Sequence, residues 1–120
     1  MNVVTKNIIR ERSFAFAIQI VELSKYLMND KKEFVLSKQL LKSGTSIGAN
    51  VREADNAESK PDFIHKMGIA QKEADETVYW IELLYAAKFL DKDKFEQLID
   101  EANQILKIIK SIILSSKAKK

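Results

Sequence analysis

Residues 43–54 read SGTSIGANVREA, and the fold of the chain turns on whether they form a loop or a helix. Two glycines, three hydroxyl side chains and an asparagine give the stretch a loop-like composition. Yet Leu40, Gly44, Ile47, Val51 and Ala54 recur at alternating four- and three-residue steps, the period of one helix face. Gly44 and Gly48 are four apart, so they stack on adjacent turns and strip side chains from one flank. A neighbouring helix can then approach closely. Each glycine costs about 1 kcal/mol against alanine in a helix interior, and close packing is expected to offset that. Ser46 and Asn50, also four apart, can hydrogen-bond across a turn or to a partner helix. A phosphate-cradling loop would need a lysine–hydroxyl pair and a preceding strand, and neither is present. The stretch reads as a packing helix over about residues 36–56.

Working outward, helical period continues on both sides. Helix one is expected over about residues 5–28, with Ile9, Phe16, Ile20, Leu23 and Leu27 on one face. A second apolar face carries Phe14, Ala17, Ile18, Val21 and Met28, more than a single bundle core can cover. Helix three is expected over 60–89. Ser59 is its N-cap, Pro61 lies in a first turn that needs no donor there, and Asp62 completes a capping-box-like pattern. Phe63, Met67, Ala70, Ala74, Thr77, Ile81 and Leu84 hold its inner face. Helix four is expected over 92–115 after Asp91 or Asp93 as N-cap, with Phe95, Leu98, Ala102, Ile105, Ile109 and Ile112 inward and a fraying SSKAKK end. Short connections favour antiparallel neighbours, so residues 1–120 are expected to form one all-α domain, an up-down-up-down four-helix bundle.

Composition agrees with that reading. The chain has 120 residues, 46% hydrophobic and 31% charged, enough for a real core without staples. Three glycines and one proline favour long helices. The lack of cysteine excludes thiolate catalysis and thiolate metal sites and fits a reducing, cytoplasmic setting. Apolar runs such as VYWIELLYAA and IIKSIIL are too short to span a bilayer, so no membrane role is expected. Net charge is +3 but unevenly spread: +5 over residues 1–52, −7 over 53–101 and +5 over 102–120.

On the outer side of helix two, Lys38, Lys42, Thr45, Ala49 and Arg52 make a smooth basic ridge suited to a phosphate backbone. The plainer reading is a solvated helix face. Lys107 and Lys110 on helix four are secondary candidates, followed by Lys117, Lys119 and Lys120 in the tail. Phe63, Trp80 and Tyr85 fall on core or interface faces, so no base-stacking platform is expected and binding should follow backbone charge. Helical bundles also host di-metal carboxylate sites, which need two Glu-x-x-His pairs. Here the one histidine, His65, has Asp62 three residues back, and Glu53, Glu73 and Glu76 are better explained as ion-pair or hydrogen-bond partners. No metal, cofactor or catalytic residue is expected, and the chain reads as a non-enzyme. Phe14, Ile18 and Val21, with Trp80, are the expected oligomer interface.

The segment from Ser43 to Leu84 carries a more specific signal. SIGANVREA, followed by DFIHKMGIAQKEADETVYWIELL with its KEAxET and YW elements, resembles the bacterial four-helix bundle family named for proteins encoded in 23S ribosomal RNA intervening sequences. Helix one and the isoleucine-rich helix four fit that plan, and Pro61 and Gly68 are minor departures. The resemblance implies a protomer that assembles as a ring, a pentamer. It also implies likeness to the accessory bundle proteins of diversity-generating retroelements, which bind nucleic acid and a reverse transcriptase. Structured RNA and a protein partner are therefore the expected ligands besides the chain itself.

Overall fold

The computed structural model describes residues 3–118. They form four helices: α1 (Val3–Asn29), α2 (Leu36–Asp55), α3 (Lys60–Ala86) and α4 (Lys92–Ala118), with no strand among the described residues. The bundle is a rod of 50 × 23 × 19 Å. Helix α1 packs on α2, α2 on α3 and α3 on α4, while α4 closes back onto α1 by a thinner seam. The first and third helices lie across the bundle from each other, as do the second and fourth.

The SGTSIGANVREA stretch is helical throughout, inside α2. Leu40, Gly44, Ile47, Val51 and Ala54 are all buried. The two glycines differ. A methyl group at Gly44 would lie 2.8 Å from both Ile20 Cγ1 and Ile20 Cγ2, so the backbone of α2 can rest on the Ile20 side chain of α1 here only around a hydrogen. At Gly48 the nearest atoms, the backbone oxygen and hydroxyl of Ser13, would be at 3.5 Å, an ordinary contact. The expected close approach therefore belongs to Gly44, and Gly48 has room for a methyl. Ser46 and Asn50 bond locally: the Ser46 hydroxyl donates to the Lys42 carbonyl and Asn50 Nδ2 to the Ser46 carbonyl. Two buried hydroxyl contacts do cross between helices: Ser24 of α1 donates to the Ser37 carbonyl of α2 at 3.3 Å, and Thr77 Oγ1 of α3 lies 2.9 Å from Ser43 Oγ in the α2/α3 seam.

Helix ends follow local chemistry. Ser59 caps α3 by accepting from the Asp62 N–H, and the Asp62 carboxylate accepts from the Glu58 N–H in return. That acceptance falls one residue earlier than in a standard capping box. At α4 the cap is Asp91, whose Oδ1 accepts from the Lys94 N–H at 2.8 Å. Helix α3 ends at Ala86, short of the expected Phe89. The Phe89 N–H donates to the Leu84 carbonyl and the Lys88 N–H to that of Tyr85, closing a Schellman turn around Lys88 at φ 70°. Helix α4 extends to Ala118, and Ser116 is buried where fraying was expected. Of the tail lysines, Lys119 and Lys120 lie outside the described residues.

Candidate nucleic-acid interface

The outward side of α2 presents Lys38, Lys42, Thr45, Ala49 and Arg52, all exposed except half-buried Thr45. The Thr45 hydroxyl is turned back onto its own helix, donating to the Leu41 carbonyl at 2.7 Å. Between the charged residues the face is thus low and chemically quiet. Three ion pairs occur among the described residues: Arg10–Asp55, Lys66–Glu53 and Lys92–Glu96. Lys38 and Lys42 take part in none of them. At 1.5 Å rise per residue the two lysines sit about 6 Å apart along the helix, and Arg52 about 15 Å beyond Lys42.

Arg52 is differently placed from the lysines. Its guanidinium carbon lies 5.1 Å from the ring centroid of Phe14 in α1, within range of a cation–π contact. One turn away, Arg10 of α1 reaches Asp55 of α2 at 3.5 Å. Phe14, Ala17, Gly48, Ala49 and Arg52 line a groove of about 240 Å³ between the two helices. The apolar face of α1 and the basic ridge of α2, separate in the sequence, are therefore two sides of one continuous surface. Phe14 and Ile18 are 53% and 47% exposed on it, and Val21 is half-buried. On α1, exposed Glu11 and Glu22 stand among the exposed cations Arg10 and Lys25.

Other candidates are not gathered there. Lys107 and Lys110 are exposed on α4, which does not touch α2, so they face away from Lys38 and Lys42. Trp80 sits on α3, across the bundle from α1, half-buried against the core with its Nε1 enclosed and unpartnered. The structure does not bring it together with Phe14, Ile18 and Val21. Its exposed neighbour is Tyr79, edge-on to the indole at 4.9 Å, on a helix whose Asp75, Glu76 and Glu82 are also exposed. Glu53 pairs with Lys66 at 3.2 Å, His65 is exposed, and no cluster of three or more His, Cys, Asp or Glu that could hold a metal occurs among the described residues. No helix among them is long and apolar enough to cross a membrane.

The residue that sequence reasoning missed is Glu33. Its carboxylate accepts from three backbone N–H groups at the start of α2: Val35 at 3.2 Å, Leu36 at 3.0 Å and Ser37 at 2.7 Å. Its own N–H donates back to the Leu27 carbonyl in the last turn of α1. Slight burial works to raise its pKa, but those backbone donors and the Ser37 side chain outweigh it, leaving the pKa below the ordinary 4.5. The signal available was an acid just ahead of an apolar-periodic run, where a helix N-terminus favours negative charge. Glu33 thereby ties the last turn of α1 to the first turn of α2.

Comparison with known proteins supplies the wider frame. The family described as 23S rRNA-intervening sequence protein matches residues 5–111. A crystal structure at 1.70 Å of a protein of unknown function, from the S23 ribosomal protein family of Bacteroides thetaiotaomicron VPI-5482, is 49% identical. The match covers 91% of this chain and 97% of that one, with a TM-score of 0.90. No curated protein is similar to it in sequence.

Proposed function

Since the chain belongs to the 23S rRNA-intervening sequence protein family, we propose that it is a non-enzymatic, self-assembling RNA-binding bundle of the cytoplasm. The observation carrying the RNA reading is the pair Lys38 and Lys42, exposed, free of ion pairs and flanked by low residues on one helix face. Contacts of that kind read phosphate rather than base sequence, and their strength falls steeply with salt. Lys107 and Lys110, on the far side of the protomer, reach the same RNA only when several protomers surround it.

Assembly is assigned to α1. Ile8 and Ile18 are exposed and Val21 half-buried on a helix whose seam with α4 is thin, so apolar surface remains for another protomer to cover. The family resemblance favours a closed ring of five. Contacts between consecutive helices run in opposing order, Ser24 with Ser37 and Arg10 with Asp55, then Ser43 with Thr77 and Glu53 with Lys66, which supports the antiparallel arrangement.

A second reading, a protein-binding scaffold like the accessory proteins of diversity-generating retroelements, draws on the exposed Tyr79 among acids, a surface unsuited to RNA. Size-exclusion chromatography with light scattering and absorbance at 260 and 280 nm separates the two. The RNA reading expects a multi-protomer mass with excess 260 nm absorbance that is lost in high salt. Charge reversal at Lys38 and Lys42 is expected to abolish that excess without changing the protein mass. The same mass with no nucleic acid, and partner capture that survives nuclease, would favour the scaffold.

A further inference from the structure

Resting on the RNA reading, and on an assembly that covers Ile18 and Val21 while leaving the Phe14 end of α1 open, we infer that the groove between α1 and α2 receives one unpaired RNA base, stacked on Phe14 beside Arg52, while Lys42 and Lys38 hold the strand leading away from it. Four observations meet at this place. Phe14 is 53% exposed, so much of its ring is open to solvent. Arg52 lies over the ring, 5.1 Å from its centroid, so Phe14 already takes a planar cation on one face. Gly48 and Ala49 make the α2 side of the groove low, leaving space beside the ring that larger side chains would fill. The volume, about 240 Å³, is below the range of roughly 300–1,000 Å³ that holds a whole drug-sized ligand, and suits one flat ring.

The chemistry selects the ligand. Stacking on an aromatic side chain with an arginine alongside is how single-stranded nucleic acid is held without sequence readout. Arg10 is engaged by Asp55, so Arg52 is the cation left to the base, while phosphates fall to the unpaired lysines. From Arg52 the strand runs along α2 past Ala49 and Thr45 to Lys42, then to Lys38 about 6 Å further on. Between Lys38 and Arg52 α2 carries no acidic residue, whereas α1 exposes Glu11 and Glu22 among its cations. A paired duplex cannot put a base into the groove, because its bases remain in the stack. The preferred RNA therefore carries a bulge, loop or single-stranded end.

The test uses the full chain in its native assembly and two blunt-ended RNA duplexes of equal stem length, one fully paired and one with a single bulged adenosine, in fluorescence anisotropy at fixed low salt. Wild type is expected to bind the bulged duplex roughly ten-fold tighter, since one stacked base is worth about that factor or more. Phe14→Ala is expected to bind the two duplexes equally, and Phe14→Tyr to keep the preference. Equal wild-type affinity for both duplexes overturns the inference and leaves the RNA reading standing. A Phe14→Ala variant of reduced oligomer mass, weakened equally toward both, also overturns it and assigns the ring to self-association. Failure of wild type to bind either duplex overturns the RNA reading itself.

Discussion

Between α1 and α2 the chain removes side-chain volume: Gly44 leaves a gap that the side chain of Ile20 fills, so the helices pack backbone against branched carbon. Between α3 and α4 it adds volume: Tyr85 and Phe95 stack with ring centroids 4.1 Å apart and planes 11° from parallel. The first seam is held by shape and has little tolerance for added atoms. The second draws on half-buried aromatic area and should tolerate changes of shape but not loss of the ring. Both are consecutive helix pairs of one small bundle, so they allow two packing strategies to be compared in a shared background.

The largest effect is expected where tolerance is least. Gly44→Leu forces new carbons into the space of fully buried Ile20 and should destabilise by about 3 kcal/mol, read from the denaturant midpoint. Gly48→Ala, one turn along the same seam, should instead stabilise by about 1 kcal/mol, because its methyl fits and the helix gains propensity. Equal signs for the two would break the comparison. Next, Phe95→Ala is expected to lose about 2 kcal/mol, less than a fully buried phenylalanine because Phe95 is only half-buried. Phe95→Leu should recover much of that loss, as expected if area rather than exact shape holds the seam.

The smallest effect concerns the joint before α2. Because its folded pKa lies below the ordinary 4.5, Glu33 contributes stability that is fully present above that value. The contribution is lost as pH falls through the folded pKa. Glu33→Gln should cost less than about 1 kcal/mol at neutral pH and should flatten this part of the acid loss in melting temperature measured from pH 6 to 3. An unchanged acid limb would remove Glu33 from the account.

Much of this was legible from spacing alone. The buried face of α2 was readable through its misleading glycines and hydroxyls, because periodicity reports which residues share a side whatever their composition. Ser59 and Asp91 announced their helices by residue type. What depends on facing residues and helix arrangement was not legible. Periodicity marks both glycines as a flank but says nothing of what lies opposite, and only the facing residue, Ile20 or Ser13, separates Gly44 from Gly48. The meeting of Arg52 with Phe14 depends on the register between α1 and α2 and on which flank each helix offers. Neither helix carries that information by itself. Lys107 and Lys110 looked like allies of Lys38 and Lys42 by charge, and only the arrangement of the helices separates them. The position of Trp80 likewise depends on which helices are diagonal.

The thin seam between α1 and α4 has a consequence for how the bundle comes together. Four helices make four seams, but the chain supplies only three loops, so the seam between first and last helices is the one with no short connection holding its partners near. Closing it spans almost the whole chain, the largest loop-closure entropy in the molecule, for the least packing. The other three seams join sequence neighbours and can form from local encounters. Ordering α1 against α4 is therefore expected to come late in folding, and hydrogen exchange is expected to find the least costly opening of the native state at this seam.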